Sequence, residues 1–312
     1  MGPPLRRRLP PCSGPGNGAP GLAHPVSIWR VPIVDAHAHL FAPEQRDRRA
    51  VLAERDATFA ELYGDPAAKM ATAPELLAAM DDAGIERAVV AGFAFADAEE
   101  CAAQGRAILQ AAGEAGGRII PLATVNPAAP GWRAAAEDAI AAGARGFGEL
   151  RPWNQGWDPL GPQGHTLADL AEATGAVLLW HVSEPVGHRY PGKAGGITAV
   201  ELCELAEAHP RARMVAAHLG GGLSFYLEMP EVRASLANVW FDTAAVSLLY
   251  DTGSVARLAD LAGPERVLFG SDYPLLSPRR QLQRLKASLP GEFALAVCGG
   301  NATTLFSESH QP

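Results

Sequence analysis

The sequence predicts an α/β fold, the (β/α)8 TIM barrel, from three observations. Eight short runs are apolar enough along their whole length to be strands buried on both faces. Ala-, Leu- and Glu-rich stretches with helical periodicity separate them. The runs also recur at regular intervals after one longer first interval, which favours a closed barrel over the alternative, a doubly wound open sheet. They cover residues 31–39, 85–93, 118–125, 144–150, 176–182, 213–219, 238–244 and 266–272.

Two of the helix candidates are marked by residues typical of helix ends or by one apolar side. Residues 73–83 have an apolar stripe, with Pro74 suited to the first turn and Gly84 just after the end. Residues 197–208 are apolar on one side, and three glutamates share the other side: Glu201, Glu204 and Glu207. Both stretches therefore predict helices that pack one face against the strands.

The remaining organisation is a leader, one barrel domain and one insertion. Residues 1–27 are rich in Pro and Gly without a period, which predicts a disordered leader. The leader carries Arg6–Arg8 and Cys12 but lacks the apolar segment of a secretion signal. Residues 28–312 form the predicted barrel domain. Within it, 41–72 is an insertion after the first strand, whose charged stretch predicts a cap helix near the barrel mouth.

Composition excludes several classes of function. A hydrophobic share of 48% is enough for a core and too high for a disordered chain. The net charge of −8 argues against partners such as nucleic acid or an anionic membrane surface. No apolar run approaches the roughly 20 residues of a membrane span. The four cysteines are scattered without CxxC spacing, which excludes a cysteine zinc site, and the cytoplasm is the default location.

Polar residues gather where a barrel enzyme would use them, at the carboxyl ends of the strands. His37 and His39 end the first run, and because side chains alternate along a strand, both can face the barrel axis. Further polar residues end runs four, five, six and eight: Glu149, His181, His218 and Asp272. Burying so many imidazoles and carboxylates in an apolar barrel end is costly unless they share a function, which favours a metal site over satisfied core histidines.

These motifs make the sequence similar to the amidohydrolase superfamily, and within it to the amidohydrolase-related family of metal-dependent TIM-barrel hydrolases. The resemblance spans roughly residues 31–306. It rests on VDAHAHL at strand 1, LLWHVSEP at strand 5, AAHLGGG at strand 6, LFGSDYP at strand 8 and GNATTLF near the C-terminus. These motifs are specific for the superfamily and the fold but not for a substrate.

The resemblance implies that His37, His39, His181 and Asp272 ligate one divalent cation, with zinc expected and manganese or iron also suited. It implies that Asp272 accepts the proton of an attacking water. His218 would polarise the substrate or shuttle a proton, or would only orient its neighbours. Glu149 leaves two alternatives open: a carboxylate that bridges a second cation, or a partner of Arg151. We favour the site with one cation.

The expected activity is hydrolysis of an amide, ester or lactone of a small substrate, anionic or aromatic in character. The alternative is non-oxidative decarboxylation of an aromatic or enol carboxylic acid, because the same family contains metal-dependent decarboxylases. A barrel that only binds a ligand is a third interpretation, disfavoured because every expected ligand position is filled. The expected partner is a small molecule, and a homo-oligomer would match other family members.

The loop at 183–196 and the segment after strand 4 supply candidates for substrate contact, although the same residues could only brace the loop. These candidates are Arg151, Trp153, His188, Tyr190 and Lys193. The Gly220–Gly222 run lacks the residues of a P-loop, which favours close passage of the backbone over phosphate binding.

Overall fold

The computed structural model describes Gly2 and residues 31–307, and it contains the eight predicted strands in the predicted order. The predicted leader, residues 1–27, lies outside the described residues apart from Gly2. The strands are β1 (Val34–His39), β2 (Arg87–Ala91), β3 (Ile119–Pro121), β4 (Gly146–Leu150), β5 (Val177–Trp180), β6 (Arg213–Ala216), β7 (Val239–Asp242) and β8 (Val267–Leu268). All ladders between them are parallel, as the barrel prediction requires.

The strands pair in chain order as two ladder systems, β1 to β3 and β4 to β8. Backbone hydrogen bonds cross both seams between them. At the seam of β1 with β8, the amide of Ala36 donates to the Phe269 carbonyl at 2.7 Å. At the seam of β3 with β4, the amide of Ala123 donates to the Gly146 carbonyl at 2.8 Å. The eight strands thus make up the TIM-barrel fold.

Helices alternate with the strands, and further short helices occupy the connections. They are α1 (Pro43–Asp47), α2 (Arg49–Arg55), α3 (Ala57–Tyr63), α4 (Ala73–Ala83), α5 (Ala98–Glu114), α6 (Trp132–Ala141), α7 (Pro152–Gln155), α8 (Pro162–Thr174), α9 (Ala199–Ala208), α10 (Pro230–Ser235), α11 (Val246–Leu249), α12 (Ser254–Ala262), α13 (Pro278–Ser288), α14 (Gly291–Leu295) and α15 (Asn301–Leu305). Segments 218–228 and 264–266 form 3-10 turns. Within residues 31–307, no helix combines the length and apolar content that crossing a bilayer requires.

Local sequence explains the predicted helix α4. Thr72 and Glu75 form a reciprocal capping box at its start, where the Glu75 carboxylate accepts from the Thr72 amide at 2.8 Å. Pro74 lies in the first turn. Gly84 ends the helix in the left-handed conformation, with φ +68°, that glycine adopts without steric cost. The predicted bounds, 73–83, are confirmed.

The insertion after β1 differs from the prediction. Instead of one cap helix it forms three short ones, α1 to α3, with non-helical residues at Arg48 and Asp56. Asp56 breaks the helix because its side chain competes for backbone amides: one oxygen accepts from Phe59 at 2.9 Å and the other from Ala96 at 3.0 Å. The second bond fastens α3 to the segment after β2.

The core is layered as buried parallel strands require. Inward-facing strand residues such as Val89, Leu122 and Leu179 fill the barrel, and the alternate residues pack outward against the helices. A separate aromatic cluster beneath the insertion contains Phe41, Phe59, Phe93 and Phe95. This aromatic cluster lies at the carboxyl ends of β1 and β2.

Candidate metal centre

The structure brings together six predicted site residues at the carboxyl ends of the strands. His37 and His39 lie on β1, Glu149 lies on β4, and the others directly follow or closely follow β5, β6 and β8: His181, His218 and Asp272. All six side chains are buried, with residue exposures of 0 to 9%. Titratable groups so far from water need charged or hydrogen-bonding partners, and here they are each other's neighbours.

Three of the histidines are held by the same ring nitrogen. The Nδ1 acceptors are Asp242 Oδ2 for His37 at 2.8 Å, Ala91 O for His39 at 3.2 Å and Ala244 O for His218 at 3.0 Å. A carbonyl can only accept, so Nδ1 of His39 and His218 carries a proton and Nε2 faces the cluster. The Nε2 atoms of His37 and His39 approach each other to 3.1 Å. This orientation by an outer partner is typical of metal-ligating histidines.

Glu149 lies between the two histidines of β1 and the histidines that follow β5 and β6. Its Oε1 lies 2.7 Å from His181 Nδ1, 3.3 Å from His218 Nε2 and 3.9 Å from His37 Nε2. Its Oε2 lies 3.8 Å from His39 Nε2. The carboxylate is therefore shared by four histidines from three strands, β1, β5 and β6, and it does not pair with Arg151 alone.

Two sets of ligand atoms in the described residues are close enough to hold a cation, and both contain Glu149. One set is His37, His39 and Glu149, and the other is Glu149, His181 and His218; within each, the atoms lie within 4.8 Å of one another. Asp272 stands beside the first set, with Oδ1 3.5 Å from His39 Nε2. Imidazole and carboxylate donors of this kind fit zinc and manganese alike, so the residues present fit a divalent cation.

The charges explain why the cluster requires a cation or protons. Burial works against charge on His37, but Asp242 and Glu149 raise its pKa to about 10. Burial likewise opposes charge on His218, and Glu149 raises its pKa to about 9. Burial and the Arg151 guanidinium lower the pKa of His181 to about 4. A bound cation would supply positive charge here in place of protons on these histidines.

Backbone strain concentrates at the same end of the barrel. Among the described residues other than glycine, positive φ angles occur only at His218, Leu219, Ala245 and Asp272, all just beyond β6, β7 or β8. The left-handed conformation is costly for residues with a Cβ and persists where the surroundings enforce it. Two of the four are predicted site residues, His218 and Asp272.

The glycine run after β6 brings its backbone against the loop after β5. Gly221 has φ +57°, and a Cβ at this position would lie 2.7 Å from the backbone of Ser183. The Ser183 hydroxyl in turn lies 3.0 Å from Nε2 of His181. The glycine run therefore lets its backbone pass close to Ser183, which contacts His181. This agrees with the prediction that the run serves close passage of the backbone.

The predicted substrate-contact residues mostly engage their own loop. Arg151 is buried and donates through Nη2 to the carbonyls of Gly192 and Ala194, while its Nε has no hydrogen-bond acceptor among the described residues. Lys193 donates to the carbonyls of Val186 and His188.

The other candidates also have local partners. Tyr190 donates to Glu184 at 2.7 Å, and the His188 ring lies 5.7 Å from the Tyr190 ring. Trp153 is half-exposed, donates to Glu201, and has no described contact with the histidine cluster. Arg151 is the candidate whose charge acts on the cluster, where it helps to lower the pKa of His181.

Sequence reasoning missed two residues of this region. The first is Asp242, which ends β7 and whose carboxylate accepts hydrogen bonds from His37 Nδ1 and from the backbone amide of His218. The second is Tyr63, which ends α3 and packs its ring on Phe41, with centroids 4.8 Å apart. The only sequence signal was that Phe59 and Tyr63 are four residues apart and so share a helix face.

Comparison with known proteins finds one family and a group of similar folds. The model of a family described as Amidohydrolase matches residues 34–307. A search of curated proteins finds no match to the chain.

Three of the similar solved structures are decarboxylases. The 5-carboxyvanillate decarboxylase of Sphingomonas paucimobilis has a TM-score of 0.69 and 18% identity, covering 89% of this chain and 100% of that one. The Novosphingobium aromaticivorans 5-carboxyvanillate decarboxylase, complexed with manganese and 4-hydroxy-3-methoxy-5-nitrobenzoic acid, has a TM-score of 0.71 and 16% identity, with coverage of 88% and 96%. The 2,6-dihydroxybenzoate decarboxylase from Rhizobium has a TM-score of 0.63 and 16% identity, with coverage of 88% and 98%. At these identities the likeness establishes the fold.

Proposed function

This chain belongs to the amidohydrolase family, and on that premise we propose that it is a metal-dependent, non-oxidative decarboxylase of a small aromatic carboxylic acid. Hydrolysis was the expected activity and decarboxylation its alternative. The alternative is better supported because the similar solved structures include decarboxylases of aromatic acids.

One observation on this chain carries the proposal: a buried guanidinium lies beside the ligand cluster. Arg151 is 3% exposed, and its Nε donates to no described group. A buried, partly unsatisfied cation attracts a carboxylate far more strongly than a neutral ester or amide. We assign Arg151 to an anionic group of the substrate, and His188, Tyr190 and Lys193 to shaping the loop around it.

The proposed ligands of the cation are His37, His39, His181 and Asp272, with Glu149 shared among them. A bound divalent cation would supply Lewis-acid attraction for the substrate's carboxylate and a neighbouring oxygen. Manganese is as well suited as zinc, and a similar decarboxylase contains manganese. Asp242, Ala91 and Ala244 hold the histidine rings in the required orientation.

In the proposed reaction, the bond between the ring carbon and the carboxyl carbon breaks, carbon dioxide leaves, and the electron pair stays on the ring carbon. That carbon then takes up a proton. His218 is placed to deliver it, since Ala244 fixes its Nδ1 and its Nε2 points into the cluster, 3.3 Å from Glu149. Glu149 can hold the imidazole in its charged form until the transfer.

A second candidate, hydrolysis, is favoured by a different observation. Glu149 belongs to both ligand sets, and a carboxylate between two cations is suited to activating water. In that reaction Asp272 would take the proton of the attacking water and pass it to the leaving group. Metal content bears on this candidate: two equivalents, reduced to one by Glu149→Gln, would favour a hydrolase with two cations, whereas one equivalent fits both reactions.

The deciding experiment uses the full chain loaded with Mn²⁺ or Zn²⁺. It is incubated in parallel with hydroxylated benzoic acids, including 5-carboxyvanillate and 2,6-dihydroxybenzoate, and with lactones and amides. We expect release of carbon dioxide from an aromatic acid, with one ring hydrogen gained from solvent. Cleavage of a lactone or amide with uptake of heavy oxygen from labelled water, and no carbon dioxide, would overturn the proposal.

A further inference from the structure

Tyr63, in the insertion, lies at the end of the barrel that holds the ligand cluster. Its ring packs on Phe41, with centroids 4.8 Å apart, and on Phe93, with centroids 5.9 Å apart. Phe41 lies two residues beyond His39, and Phe93 lies two residues beyond Ala91, whose carbonyl holds His39. The phenol therefore stands at the carboxyl ends of β1 and β2, on the same side of the barrel as the ligands.

The ring of Tyr63 packs in the aromatic cluster at the carboxyl ends of β1 and β2, and its hydroxyl has no described hydrogen-bond partner. The charges that act on it are those of Asp272, Glu149 and Arg151. Burial and the two carboxylates raise the pKa of Tyr63, so the phenol stays neutral and able to donate.

We propose that Tyr63 is a substrate-binding residue whose hydroxyl donates a hydrogen bond to an oxygen substituent on the aromatic ring. This inference rests on the proposed function and narrows its substrate class to benzoic acids that carry a ring hydroxyl or methoxy group. Arg151 serves the anionic group, and Tyr63 selects the ring oxygen. An acid without that oxygen cannot accept the hydrogen bond of the Tyr63 hydroxyl, and a site built around a hydrogen bond rejects such an analogue.

The test compares wild type, Tyr63→Phe and Tyr226→Phe, all as full-length protein loaded with Mn²⁺. Phenylalanine keeps the ring that packs on Phe41, and Tyr226 is an exposed tyrosine that serves as the matched control. The probe is 4-hydroxy-3-methoxy-5-nitrobenzoic acid, whose nitrophenol absorbs visible light and reports hydrogen bonding to its phenolic oxygen. A second probe, 3-nitrobenzoic acid, lacks the ring oxygens.

We expect Tyr63→Phe to bind the hydroxylated probe about tenfold more weakly than wild type and to change the absorption of the bound probe. Binding of 3-nitrobenzoic acid, the melting temperature and the behaviour of Tyr226→Phe should stay as in wild type.

Three outcomes would overturn the inference. Equal affinity and equal spectra in wild type and Tyr63→Phe would remove Tyr63 from substrate binding and leave the decarboxylase proposal intact. Equal weakening for both probes would assign Tyr63 a purely structural role. A wild type that binds neither probe and releases no carbon dioxide from any hydroxybenzoic acid would overturn the proposed function and this inference together.

Discussion

The carboxylate of Asp242 accepts a hydrogen bond from Nδ1 of His37 at 2.8 Å, and both side chains are completely buried. The bond joins the ends of β1 and β7, which lie on either side of β8. It fixes the orientation of the His37 ring, so Nε2 can only face the cluster. An outer carboxylate of this kind commonly raises the affinity of a histidine for metal.

Asp242→Asn should therefore weaken metal binding while the barrel stays folded. The amide oxygen can still accept from the backbone amides of His218 and Ala244, but the charge opposite His37 is lost. We expect the affinity for Mn²⁺ to fall by about ten- to a hundredfold, measured by calorimetric titration. Asp260→Asn, at an exposed position of α12, is the control; equal affinity in both variants would contradict the prediction.

Arg151→Met should raise KM for the aromatic acid more than it lowers kcat. The change removes the cation beside the cluster and the bonds to Gly192 and Ala194. We expect KM to rise by at least about tenfold, with partial recovery in Arg151→Lys, which keeps the charge without the planar fork. Steady-state kinetics and melting temperatures measure both effects. A lower melting temperature with an unchanged KM would leave Arg151 as a loop brace only.

Gln104→Ala should destabilise the fold more than any surface glutamine does. Gln104 is fully buried, and its amide group accepts from the Phe93 amide at 2.8 Å and donates to the Leu40 carbonyl at 2.9 Å. Removing it leaves two buried backbone groups unpaired, at a cost of about 2 to 4 kcal/mol in the free energy of unfolding. Urea unfolding measures this cost. The exposed Gln110, on the same helix, should lose less than about 0.5 kcal/mol on replacement by Ala.

Gly221→Ala and Gly222→Ala should lose similar stability, but only Gly221→Ala should lose activity. Both residues have positive φ, so each alanine costs about 1 kcal/mol of stability. Only at Gly221 does the new Cβ also collide with Ser183, which contacts His181, whereas Gly222 has open space. We expect a loss of activity beyond tenfold in Gly221→Ala alone, at temperatures where both variants are folded. Equal activities would mean that the loop contact is dispensable.

The capping box of α4 should make a small contribution to the free energy of unfolding that is lost in acid. The hydrogen bond from the Thr72 amide lowers the pKa of Glu75 below its ordinary value of 4.5. Its contribution is therefore complete above pH 4.5 and is lost as the pH falls through the lowered value. Because Glu75 lies near the surface, Glu75→Gln should cost at most about 0.5 kcal/mol at neutral pH. Urea unfolding at neutral and acid pH should show this difference shrink in acid.

The strands and the metal-site candidates were predictable because their signals are local or repeated. Strands buried on both faces leave continuous apolar runs, and His37 with His39 shows the period of a strand in three residues. The convergence of Glu149 and His181 followed from the rule that strand ends share one face of the barrel. Membership of the amidohydrolase family, expected from the motifs, is confirmed.

The remaining features depend on contacts that no local pattern contains. Asp56 interrupts the insertion because its carboxylate finds the Ala96 amide, forty positions further along the chain. Tyr63 packs on Phe41 and Phe93 because of where that interruption places α3. The preference for hydrolysis rested on motifs that hydrolases and decarboxylases share, so it could not discriminate between them.

The attachments of the insertion have a consequence for the position of Tyr63. Gln45 and Arg48 both bind Glu100 on α5, Asp56 binds Ala96, and Thr58 bonds to Asn154 on α7. These hydrogen bonds attach the insertion on two sides. We therefore expect α3 and Tyr63 to keep their positions when an aromatic substrate binds, without a hinge motion.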